Sequence, residues 1–159
     1  MKRRTWKYLG WILLSEAVGG LAAFLTRDGV EYFNLLVEKP PLSPPGALFP
    51  WVWAVLYLLM GIGAARVYLS PPSAERSRGL LFFGLQLAFN FVWSIFFFNL
   101  EAYGLSFVWL AALWALILLM TLSFRKVDAW AGRLQIPYLL WVMFAGYLNL
   151  GVWWLNGLS

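Results

Sequence analysis

The sequence predicts an all-α integral membrane protein: a five-transmembrane-helix bundle with a Pro-rich loop capping a ligand pocket. Three observations predict it. The 159 residues are 62% hydrophobic and only 12% charged, with a mean hydropathy of +0.73. Soluble domains carry about 25% charged residues, and a chain this small cannot hide so much apolar surface in its own core, so lipid must be its solvent. The apolar residues fall into five runs, each near the length that crosses a hydrocarbon core. From the loop after the first run into the second extends Glu38 to Tyr57, EKPPLSPPGALFPWVWAVLY, which holds five of the eight prolines.

The first span covers 6–25. Lys2-Arg3-Arg4 ahead of Leu9 to Leu14 gives it the look of a signal peptide. Glu16, and the lack of a small-residue cleavage site before Arg27, keep it as a membrane helix. From Thr26 to Ala47 we expect an ordered lid. Val30, Tyr32, Phe33, Leu35 and Leu36 make it apolar, and Pro40, Pro41, Pro44 and Pro45 fix φ and remove backbone donors. The second span, 48–68, begins around Pro50 and carries Trp51 and Trp53. The third, 80–100, is joined to the fourth, 105–124, by a short turn at Asn99 to Gly104, which makes them antiparallel neighbours. The fifth covers 134–155. Barrel strands would be about half as long and would alternate, and lipid tolerates no unpaired backbone, so the spans are helices. One domain, 1–159, accounts for the chain.

Charge sets the expected topology. Ten of the twelve basic residues fall before the first span, between the second and third, or between the fourth and fifth; only Arg27 and Lys39 lie on the other side. This places the N-terminus in the cytoplasm, and the C-terminus and the lid outside, in a multi-pass protein of the cell membrane. The net charge of +5 is then topological, and no nucleic-acid partner is expected.

The composition excludes much chemistry. With no Cys and no His there is no thiolate nucleophile, imidazole base or His/Cys metal site. No triad, P-loop or dinucleotide fingerprint is present. We expect no metal and no required cofactor. What remains is polar residues inside apolar spans. Glu16 lies mid-span, where a carboxyl either functions or packs neutral against a partner. Gln86 and Asn90 lie four apart on one face, extended by Ser94, with Asn149 on the fifth span. Such amides either bond between helices or meet a ligand. Trp53, a turn below the lid, and Trp141, four residues after Pro137, stand out among 11 Trp. Trp141 is expected toward the opposite end of the bundle from Trp53. Gly61-x-x-x-Ala65 and Gly84-x-x-x-Ala88 suit close packing within the bundle or across a dimer.

The chain resembles the TspO/MBR family of tryptophan-rich sensory and translocator proteins. The resemblance rests on Lys39-Pro40-Pro41-Leu42-Ser43-Pro44-Pro45-Gly46, on Phe49-Pro50-Trp51-Val52-Trp53, and on Gln86 through Ser94 with Phe96-Phe97-Phe98. Ile136 to Trp141 and Tyr147-Leu148-Asn149 extend it over nearly the whole chain. It implies a homodimeric five-helix bundle whose pocket, under the first loop, takes porphyrins such as protoporphyrin IX and, in some members, sterols or benzodiazepine-type ligands. It implies Trp53 and Trp141 as pocket tryptophans, Gln86 and Asn90 as a polar wall, and Phe89 and Ala145 close by. Leu42, Phe33 and Asn34 occupy lid positions where the family often has Trp or Trp-Tyr, and Trp109 stands where an acid is frequent. Three functions follow as expectations. The first is a receptor or binding protein for tetrapyrroles. The second is an enzyme of light-dependent porphyrin breakdown, with no certain catalytic residue and Trp53 and Trp141 as candidates. The third is a porphyrin or sterol transporter. Arg27 or Lys39 at the mouth would pair with propionates.

Overall fold

A computed structural model describes residues 1–157; the last two positions of the 1–159 domain lie outside the described residues. All regular structure among the described residues is helical, and five helical stretches are long and apolar enough to span a membrane. Helix α1 is Lys2–Leu36, α2 Leu48–Tyr68, α3 Ala74–Ser94, α4 Tyr103–Val127, α5 Ala129–Arg133 and α6 Ile136–Leu155. A π-helical turn, Ile95–Asn99, ends the third span, and α5 with α6 makes the fifth.

Helix α1 does not stop at residue 25. It runs on for eleven more residues, so most of the expected lid before Val37 is helix. At about 1.5 Å per residue its 35 residues reach well past the hydrocarbon layer. Tertiary packing sustains the extension. The Phe33 ring lies 5.4 Å from Phe97 and 5.5 Å from Phe98, and Gly29 lets α1 press on the Phe98 carbonyl. The helix ends where Lys39 folds back, its Nζ donating to the carbonyls of Asn34 and Val37. A cation at a helix C-terminus satisfies orphan carbonyls and complements the dipole.

Helices α1 and α2 meet through small residues. Gly61 takes the backbone of Ile12, and Gly19 takes the ring of Tyr57. The Ser15 and Thr26 hydroxyls donate to carbonyls of their own helix, so neither is left unpaired on the buried stripe. Helix α3 starts six residues before the expected span. Ser73 caps it by accepting from the Arg76 N–H at 3.1 Å, just after Pro71 and Pro72. Helix α4 is the spine: Leu110, Leu113, Ile117, Met120 and Phe124 alternate at three and four residues and are buried.

The fifth span begins at Ala129 rather than 134. Asp128 accepts from the Ala131 N–H at 2.8 Å and caps α5. The same carboxylate takes a two-pronged bond from Arg66 of α2, at 2.9 and 3.0 Å. The Arg66 guanidinium, and then the cap, hold the Asp128 carboxyl below its ordinary pKa. Gln135, fully buried, donates to the carbonyls of Leu59 and Ala131. This end of the bundle is therefore clamped by hydrogen bonds. Farther out, α2 and α6 make almost no close backbone approach.

Candidate functional site

The longer fifth span moves Trp141 to its middle, which corrects the expectation that Trp141 sits at the far end from Trp53. The rings meet at 6.4 Å and 90°, edge to face. Trp53 also faces Tyr57 at 5.8 Å and Tyr138 at 6.3 Å, and Phe49 lies 5.7 Å from Trp141. These aromatics stand between α2 and α6 where the two backbones diverge. The Trp141 Nε1–H is buried and has no hydrogen-bond partner, which is costly unless a partner arrives.

Beside this cluster runs a cleft of about 570 Å³, within the range of small-molecule sites. It is lined by Trp51, Val52, Val55, Leu56, Pro137, Leu140, Trp141 and Phe144, all from α2 and α6. The cleft wall is apolar, suited to a flat hydrophobic guest.

Gln86 and Asn90 lie behind Tyr138. Asn90 Nδ2 donates to the Tyr138 hydroxyl at 2.7 Å, and that hydroxyl donates to Gln86 Oε1 at 2.7 Å. Gln86 Nε2 turns to the Met60 sulfur. The amides are thus joined to one another through Tyr138. Sequence reasoning missed Tyr138, although its spacing three before Trp141 on a helix was the available signal. Tyr57 and Phe49, one turn either side of Trp53, were missed for the same reason.

Other expected residues are not brought to the cleft. Phe89 stacks on Trp109 at 4.3 Å and 13°, on the α3–α4 seam, because the Trp109 indole donates to the Phe89 carbonyl. Ala145 is buried in the core but does not line the cleft. Leu42 is 83% exposed with φ +70°, a turn residue that projects outward. Phe33 is held by Phe97 and Phe98, and Asn34 packs against Gly46. Lys39 is committed to the end of α1, and Arg27 lies beside Asp28 and over the Phe24 ring, so neither stands at a mouth. Asn149 accepts from the Trp93 indole and donates to the Tyr103 carbonyl, while Ser94 bonds to Phe91 of its own helix; both are structural.

The remaining lid, residues 37–47, is tied to α6. Tyr147 donates to the Pro41 carbonyl at 2.6 Å, Asn156 bonds both the N–H and the carbonyl of Glu38, and Pro40 seats on Gly151.

The TspO/MBR family model matches residues 11–155. The chain belongs to the TspO/MBR family. It is 36% identical to the tryptophan-rich protein TspO of Chlorobaculum tepidum, over 90% of this chain and 91% of that one. It is 37% identical to protein CrtK of Rhodobacter capsulatus, over 88% and 87%. The translocator protein of Bos taurus is 32% identical, over 91% and 87%. A TspO/MBR chain with this geometry is a multi-pass membrane protein whose α2–α6 cleft has Trp141 in its wall, with Trp53, Tyr138, Gln86 and Asn90 packed behind it.

Proposed function

We propose that this protein is a membrane receptor for flat, apolar tetrapyrroles of the protoporphyrin type, held in the α2–α6 cleft against Trp141, with Trp53 packed behind that ring. One observation carries the reading: an apolar cleft is walled by Trp141, whose ring packs edge-on against Trp53 and whose buried N–H has no partner among the described residues. A macrocycle supplies a π-face for the rings and acceptor atoms for the indole N–H. The sensory and translocator names of relatives fit a ligand-binding role. The basic residues orient the N-terminus to the cytoplasm and the lid outside. A homodimer would use Gly84 and Ala88, which face outward with nothing against Gly84.

A second reading, light-dependent oxidation of the bound porphyrin, is favoured by the run of oxidisable rings from Trp141 through Trp53 to Tyr57 and Tyr138. Tryptophan fluorescence titrated with protoporphyrin IX, in the dark and then in light, tests both. Saturable quenching with a stable Soret band supports the receptor. Saturable quenching followed by protein-dependent bleaching supports the enzyme. Absence of saturable quenching at micromolar ligand refutes both.

A further inference from the structure

The cleft opens to the side of the bundle. Its wall is built only by α2 and α6, and no residue of the 37–47 lid lines it. At its edge Trp51 is 76%, Val55 54% and Leu140 61% exposed, on surface that faces lipid in a five-span bundle. The lid, by contrast, is fastened. Its first half is held to the outer end of α6 at Tyr147, Gly151 and Asn156, and its Lys39 closes α1. Opening the site from above would break those bonds together, whereas opening it from the side breaks no hydrogen bond.

We propose that the ligand reaches Trp141 laterally, from within the bilayer, through a portal between Val55 of α2 and Leu140 of α6, with the lid remaining shut. This rests on the ligand-binding reading above and adds a requirement on the ligand. It must dissolve in the hydrocarbon layer, because the portal is apolar. A free, fully ionised polyanion in water does not meet that requirement.

The test separates portal from lid by kinetics. Protein in phosphatidylcholine vesicles is mixed with protoporphyrin IX, and tryptophan quenching is followed in stopped flow; dissociation is then measured into excess empty vesicles. Val55→Trp and Leu140→Trp narrow the rim. Tyr147→Phe with Asn156→Ala removes the side-chain hydrogen bonds that fasten the lid at Pro41 and Glu38, and so loosens it.

A portal predicts that each rim variant slows association and dissociation together, by about fivefold or more, while loosening the lid changes neither rate. Faster association and dissociation on loosening the lid would overturn the proposal. So would rim variants that leave both rates unaltered, or that weaken affinity without slowing association, since the rim would then be a contact surface. A rim variant that changes the size of the detergent-solubilised particle would make the rim a contact between copies, and would also overturn it. Loss of saturable quenching in the wild type overturns the binding reading itself, and the portal falls with it.

Discussion

Two aromatic regions of this bundle use the same residue types to opposite ends. On the α3–α4 seam, Phe89 and Trp109 stack at 4.3 Å, nearly parallel, and the Trp109 indole donates to a backbone carbonyl of the facing helix at 2.9 Å. Between α2 and α6, Trp53 and Trp141 meet edge-on at 6.4 Å, the helices stand apart, and the Trp141 N–H has no partner. The seam is finished and the cleft is not. Trp93 and Trp114 follow the seam's pattern, bonding Asn149 and the Leu139 carbonyl, whereas Trp153, packed on Gly104 away from the cleft, shares the unpartnered N–H of Trp141. Burial of a tryptophan therefore says little about function. The useful distinction is whether its one donor is already committed to the protein, because a buried indole pairs its N–H wherever the fold provides an acceptor.

The largest effect is expected at the back of the cleft. Tyr138 accepts from Asn90 and donates to Gln86, so Tyr138→Phe leaves two buried amide groups without partners. Each unpaired group costs on the order of 1 kcal/mol in a membrane interior, so the variant should lose about 2 kcal/mol of stability in a detergent or lipid unfolding assay. The phenylalanine ring would still pack against Trp53, so ligand affinity should fall less than stability. A variant as stable as wild type would mean the amides find other partners, and the rear of the cleft would be as adaptable as its front.

Next comes the clamp that closes the bundle below the cleft. Asp128 ties α2 to the start of the fifth span through Arg66 and caps α5. Asp128→Asn should cost about 1–2 kcal/mol near neutral pH. The pH dependence has a definite sign. The folded-state pKa is depressed, first by the bond from Arg66, so the unfolded chain binds the proton more readily. The contribution is complete above the unfolded value of about 3.9 and fades as pH falls through the lower folded value. The gap between wild type and variant should therefore narrow in acid, measured as melting temperature from pH 7 down to pH 3. A gap that is constant with pH would assign the loss to the cap geometry rather than to charge.

Most of the fold was legible from the chain. Composition and five apolar runs suffice for a membrane bundle, since lipid allows only helices or closed barrels and runs this long without alternation are not barrel strands. The ends were less legible. Helix α1 overran its expected limit because span length reports the thickness of the hydrocarbon layer, not where a helix must end; Phe33 on Phe97 and Phe98 carries it onward. The fifth span began early because Asp128 caps α5 through the Ala131 N–H, and Arg66 then ties that cap to α2. In the site, Trp53, Trp141, Gln86 and Asn90 were readable as unusual residues, and the structure gathers them with Tyr138. Phe89 and the lid residues Phe33, Asn34 and Leu42 went elsewhere. Their direction depends on helix rotation and on the turn at Leu42, which periodicity in a uniformly apolar helix does not encode.

The smallest effect is the most direct trial of the comparison. Trp109→Phe removes a committed donor, and the Phe89 carbonyl loses the indole bond it takes beside its own helix's. It should cost about 1 kcal/mol of stability, and porphyrin affinity should be unaffected. Trp141→Phe removes a donor that bonds nothing in the protein, while the new ring can still face Trp53 and Phe49. It should leave stability nearly unchanged and weaken porphyrin binding by about tenfold, which is about 1.4 kcal/mol of affinity. The two variants make the same chemical change, so lost ring area largely cancels between them and the difference isolates the hydrogen bond. If both lose stability and neither loses affinity, the unpartnered N–H of Trp141 is a packing cost that the bundle tolerates, and the cleft is no more a binding site than the seam. If the losses divide as expected, the state of the indole donor is what separates a tryptophan that holds helices together from one that waits for a guest.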